Sequence, residues 1–81
     1  MKLKELAAAF TGGTPVEVWD ADAEGLYLAF DGTAAELAED GREAARACIA
    51  EGTLAIRLQG AEPTADDVAN LQQLGYTFFE V

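Results

Sequence analysis

Four acidic residues between positions 20 and 31 are the first place in this chain where residue type and spacing suggest chemistry. In WDADAEGLYLAFDG, residues 19–32, Asp20, Asp22 and Glu24 alternate, Gly25 follows, and Asp31 comes near the end. A calcium-binding loop places ligands at its positions 1, 3 and 5, a glycine at 6 and a bidentate glutamate at 12. Counted from Asp20 the first four match, and Asp31 falls at the twelfth with a shorter side chain. The flanks differ. That loop joins two helices, whereas VEVW and LYLAF alternate as strands do, and Tyr27 stands where an aliphatic residue is usual. The flanks therefore favour a hairpin whose tip carries the carboxylates, with Gly25 supplying a positive φ. A weak calcium-binding hairpin at 20–31 is the alternative.

Other chemistries are limited by missing residues. The chain has no histidine and no serine, and one cysteine, Cys48. Ser-His and Cys-His nucleophiles therefore cannot be assembled. Tetrahedral zinc needs more sulfur or imidazole than Cys48 offers. TGGT, residues 11–14, lacks the lysine and preceding strand of a phosphate-cradling loop and reads as a helix stop. The expectation is a non-enzymatic protein with no catalytic residue, no metal site and no cofactor. One cysteine permits no internal disulfide and fits a reducing, cytoplasmic setting. No stretch approaches the ~20 apolar residues of a membrane helix. MKLKELAAAF, interrupted by Glu5, reads as an amphipathic helix instead of a signal peptide.

Charge is the dominant property. Fifteen acids face five bases, for a net charge of −10. Nine acids and no base lie between Glu5 and Gly41, and four more acids without a base follow Leu58. Such a chain repels nucleic acid and anionic membranes and attracts basic surfaces.

The elements that must position these acids follow from periodicity. A length of 81 residues is one domain, and 51% apolar residues suffice for a core. Leu3, Leu6, Ala7 and Phe10 share one helical face over residues 2–10, ended by Gly12 and Gly13. PVEVWD and LYLAFD pair as a hairpin with a loop near Ala21–Gly25. Val16, Val18, Leu26, Leu28 and Phe30 are its inward set, with Trp19 and Tyr27 as an outer aromatic pair. Thr33 and Glu36 form a capping box. It opens a second helix from about Ala34 to Ala50, with stripe Leu37, Ala38, Ala45, Cys48 and Ile49, stopped at Gly52. Cys48 on that stripe is a small buried residue. TLAIRLQ is a strand with Leu54, Ile56 and Leu58 inward. Thr64 caps a third helix, with Asp67 at the box position and Gly75 as its stop. YTFFEV is a final strand that faces inward either through Thr77, Phe79 and Val81 or through Tyr76 and Phe78. The order is α-β-β-α-β-α-β: an α+β domain, with a four-stranded mixed sheet and helices packed mainly on one face. The other face then shows Trp19, Tyr27, Ala29, Ala55 and Arg57, a surface suited to an interface.

Acids two apart on extended chain lie ~7 Å from one another, and acids three or four apart on a helix ~6 Å. Phosphates along a nucleic-acid strand are separated by about the same distance. Glu17, Asp20, Asp22, Glu24, Asp31, Glu36, Glu39, Asp40 and Glu43 therefore match a stretch of backbone phosphates, with Trp19 and Tyr27 as anchors and Tyr76 as a further candidate. In size, mixed α/β pattern, absence of catalytic residues and this carboxylate run, the chain resembles the small acidic DNA-mimic proteins of phages and mobile elements, including anti-CRISPR inhibitors. The resemblance lies in general character and not in a specific motif. It implies a stoichiometric inhibitor that occupies the arginine- and lysine-lined groove of a basic protein or nucleoprotein complex. The rival reading is a structural or regulatory interaction module, either a homodimer joined through its open sheet face or an antitoxin-like partner of a basic protein.

Overall fold

Two apolar runs, ACIA and TLAIRL, flank Glu51-Gly52 and decide the architecture. Both intervening residues are left-handed, with φ 51° at Glu51 and 81° at Gly52. Two positive-φ residues between strands make the tight reversal whose twist matches a β-hairpin. In the computed structural model, which describes residues 1–81, Ala44–Ala50 and Thr53–Leu58 are accordingly antiparallel strands, β3 and β4. The helix expected over 34–50 is not formed. Only a 3₁₀ turn, Ala34–Leu37, follows Thr33. Helix propensity of the alanines is overridden because β4 needs a partner on this side, and small side chains fit a strand covered on both faces.

The remaining elements are α1 (Leu3–Ala8), β1 (Pro15–Asp22), β2 (Gly25–Thr33), α2 (Ala65–Gln73) and β5 (Phe79–Glu80). The fold is α+β. Its sheet has five strands instead of four, in the order β2-β1-β4-β3-β5. Strand β1 runs parallel to β4, and the other neighbours are antiparallel. The connections β2→β3 and β4→β5 both step toward the β5 edge, but they leave strands of opposite direction. Right-handed crossovers then place them on opposite faces. The helices are thus divided between faces, not gathered on one.

The first face carries the core. Val16, Val18, Leu54 and Ile56 pack with Leu3 and Ala7 of α1 and with Ala34 and Leu37 of the 3₁₀ turn. Strand β4 is central: Leu54, Ala55 and Ile56 are all buried, so both of its faces are covered. Ala55, expected on an open face, is fully enclosed. Helix α1 is shorter than expected and ends at Ala8, ahead of the glycines.

A bulge changes the reading of β2. Val18 pairs with Phe30, but Trp19 pairs with Leu28, leaving Ala29 as an extra residue. The extra residue reverses facing on either side of it. Phe30 stays with Val18 on the core face, whereas Leu28 and Leu26 lie with Trp19 and Ala21 on the second face. Tyr27, opposite Asp20, faces away from Trp19. The expected Trp19–Tyr27 pair is therefore absent.

Glu51 is the only non-glycine residue at positive φ, a conformation costing about 1–2 kcal/mol in an L-residue. Asparagine tolerates it better. Glu51→Asn is expected to raise unfolding free energy by about 0.5–1 kcal/mol, and Gly52→Ala to lower it by about 1–2 kcal/mol. Urea denaturation at constant m-value checks both.

Candidate functional site

The β1–β2 hairpin forms one end of the sheet, and its acids are set by a tight turn. Only Ala23 and Glu24 separate the strands, and Gly25 at φ 119° completes the reversal. The Asp22 carboxylate accepts the Glu24 amide at 2.8 Å. This local bond stabilises the turn and leaves the side chain at the tip. Residues 20–25 thus lie in a β-hairpin and its turn, as the flanks favoured, and not in a loop between two helices. No three acidic or thiol side chains gather in a geometry able to hold a metal ion.

Because β1 and β4 are parallel, the hairpin tip lies at the same end as the exit from β4 and the entry to β3. Asp20 lines a shallow depression there with Arg42 and Glu43. The Arg42 guanidinium binds Asp40 through two nitrogens, at 3.1 and 2.7 Å, and holds its carboxyl below the usual range. Glu43 meets the N-terminal ammonium at 3.2 Å. Both pairs are at the surface, where their contribution is small.

Helix α2 starts at this end as well. Thr64 caps it, with its hydroxyl accepting the Asp67 amide at 3.1 Å. Asp67 Oδ2 accepts the amides of Thr64 at 2.9 Å and Leu26 at 3.0 Å. One carboxylate thus closes the capping box and ties the helix to the hairpin. Those backbone donors lower its pKa, the Leu26 amide foremost. A Cβ at residue 25 would stand 2.6 Å from Asp67 Oδ2, so Gly25 serves both the turn and this tie. Asp66 and Asp67 thereby join Asp20, Asp22, Glu24, Asp40 and Glu43 at one end of the sheet. Lys2 and Lys4 lie at the start of α1, beside Glu43 and Asp40.

Glu17, Asp31 and Glu36 lie elsewhere, and the expected helical spacing of the later acids is absent. Glu36 is used locally, accepting the Thr33 amide and hydroxyl at 3.2 Å each. Glu39, Asp40 and Glu43 follow the 3₁₀ turn, so helical spacing does not relate them. Asp31 lies opposite Glu17 in the ladder, which sets two like charges side by side. The expected continuous array from Glu17 to Glu43 is therefore divided.

Glu17 faces the second side of the sheet and accepts the Tyr76 hydroxyl at 2.7 Å and Trp19 Nε1 at 3.3 Å. Gly75, at φ 92°, ends α2, and the Tyr76 amide returns to the Leu71 carbonyl at 2.9 Å. This glycine cap turns the chain back onto the sheet. Tyr76 then meets Trp19 edge-on at 6.0 Å and stacks on Phe78 at 6.0 Å. Of the two facings left open for the last strand, Tyr76 and Phe78 turn inward, and Phe79 is 65% exposed. Cys48 lies beneath this segment, and burial pushes its thiol pKa up.

The hydrogen bond to Glu17, aided by burial, pushes the Tyr76 hydroxyl pKa up to about 12. Because the folded value lies above the ordinary one, the bond's stabilisation is complete below pH ~10 and is lost as pH rises toward that value. Tyr76→Phe is expected to cost about 1–2 kcal/mol and to remove the tyrosinate absorbance step near pH 12. Ultraviolet titration combined with denaturation at neutral and alkaline pH checks this.

The acids and aromatics so placed stand on geometry alone, because no family model, curated protein or solved structure matches the chain.

Proposed function

We propose that the protein is a non-enzymatic, cytoplasmic inhibitor of the DNA-mimic, anti-CRISPR-like kind. Its acidic sheet end enters a basic groove of a nucleic-acid-handling protein or complex and blocks it. One observation carries this reading: three segments distant in sequence bring Asp20, Asp22, Glu24, Asp40, Glu43, Asp66 and Asp67 to one end of the sheet. At this end Arg42 pairs with Asp40 and the N-terminal ammonium with Glu43, and Lys2 and Lys4 stand beside them, so seven acids face four positive charges. Attraction between such an end and a cationic groove speeds association and is screened by salt.

In the variant Asp20→Asn, Asp22→Asn, Glu24→Gln, Asp66→Asn, asparagine at 20 and 22 keeps an Oδ1 acceptor for the Ala21 and Glu24 amides, and Asp40 and Asp67 are untouched. The wild-type protein is expected to retain a basic DNA-binding complex from host lysate. Duplex DNA releases that complex, and retention weakens steeply between about 50 and 200 mM salt. The variant is expected to lose at least roughly tenfold in affinity. Retention insensitive to salt, to DNA and to the four substitutions rejects the reading.

A homodimer is the second reading, favoured by one patch. Ile49 and Phe79, at the β3–β5 edge, are 55% and 65% exposed, and both lie on the core face of the sheet. If this edge joins two copies, light scattering after gel filtration gives twice the 8.5 kDa chain mass, and Phe79→Lys restores the monomer. A monomeric wild-type protein at all accessible concentrations excludes it.

A further inference from the structure

The two arginines of the second face are placed against the charge pattern of the rest of the chain. Arg46 and Arg57 are direct cross-strand partners, so like charges stand side by side, an unfavourable arrangement. Arg46 reaches Glu80 at 3.4 Å, but that carboxylate is 82% exposed. Arg57 forms no ion pair. Its Nε is buried and has no hydrogen-bond partner, and its guanidinium lies 5.9 Å from the Phe78 ring centroid. A buried guanidinium donor ordinarily finds an acceptor.

Both guanidinium groups line one cleft of ≈ 340 Å³ between the sheet and α2, within the range of small-molecule sites. Leu26, Val68 and Leu71 supply an apolar wall, and Tyr76 and Phe78 an aromatic one. Glu62 is the only acid in the lining, and it makes no ion pair with either arginine.

We propose that this cleft binds a small organic oxyanion, a carboxylate or phosphate carried on a flat apolar body. The oxyanion sits between Arg57 and Arg46, accepting from their terminal guanidinium nitrogens, because Arg57 Nε is enclosed by protein atoms. The apolar body lies between Phe78 and the Val68–Leu71 wall. Glu80, exposed and held by one long contact, gives way at little cost. The geometry of a guanidinium fork suits both anion types. This site shares no residue with the acidic end, so either assignment can fail without the other.

Benzoate and phenyl phosphate are the probes, with benzyl alcohol and inorganic phosphate as controls. The readout is the Arg57 Nε–H resonance in nitrogen-15 spectra, with Trp19 fluorescence as a second signal. At least one of the two aromatic anions is expected to shift the resonance saturably below about 10 mM, and the stronger one identifies the anion class. Arg46→Gln, at a solvent-accessible side chain, and Val68→Trp, which fills the cleft from α2, are each expected to weaken binding at least roughly tenfold. Retained dispersion of the amide spectrum shows that either variant is folded. The proposal is overturned if neither anion gives a saturable shift, if a control matches them, or if both variants bind as the wild type does.

Discussion

The parallel pairing of β1 with β4 is the constraint on which the rest of the structure depends. Val16–Trp19 lie beside Leu54–Arg57, which joins two hairpins that are each local in sequence. Neither hairpin alone buries both faces of a strand, and isolated two-stranded hairpins are marginal in water. Joined, they enclose Leu54, Ala55 and Ile56 completely. Each fully buried Leu, Ile or Val contributes about 1.5–3 kcal/mol, so this seam is where the stability of a small domain concentrates.

The same pairing fixes where charge goes. With β1 and β4 pointing the same way, the tip after Asp22, the exit after Leu58 and the start of α2 coincide at one end. Acids that are forty residues apart become neighbours, as the bond between Asp67 and the Leu26 amide shows. Repulsion among them is reduced by local use of the carboxylates. Asp22 holds the turn, Asp67 holds the helix, and Asp40 holds Arg42. The end keeps a net negative charge because its seven acids outnumber Arg42, Lys2, Lys4 and the N-terminal ammonium beside them.

The two faces of the sheet differ in what covers them. The core face is closed by α1 and the 3₁₀ turn with apolar side chains. Helix α2 buries no residue fully, and the second face is covered mainly by the segment after Gly75. Tyr76 and Phe78 bridge from Glu17 to Arg57 there, so a polar network takes the place of a second apolar layer. Between this segment, α2 and the sheet remains the cleft that holds both arginines of the face.

Much of this was legible from residue order. The 15–31 hairpin, the strand at 53–58, the Thr64–Asp67 capping box and the stop at Gly75 each rest on signals within a few residues. The local signal at Glu51-Gly52 was ambiguous, because a glycine after an alanine-rich run also reads as a helix stop. Only pairing with β4 made Ala44–Ala50 a strand. The bulge at Ala29 has no mark in the sequence, yet it moves Leu26, Leu28 and Tyr27 to the faces opposite those that alternation assigns. For the site, the sequence by itself determined the excess of carboxylates, the absence of histidine and serine, and the acidic turn at 20–25. Tertiary structure alone decided which acids gather, that Glu17 turns inward to Tyr76, and that Arg46 and Arg57 share a cleft. The physical reason is range: turn, cap and alternation signals act over a few residues, whereas these groupings depend on strand register and crossover hand, which are settled between segments far apart in the chain.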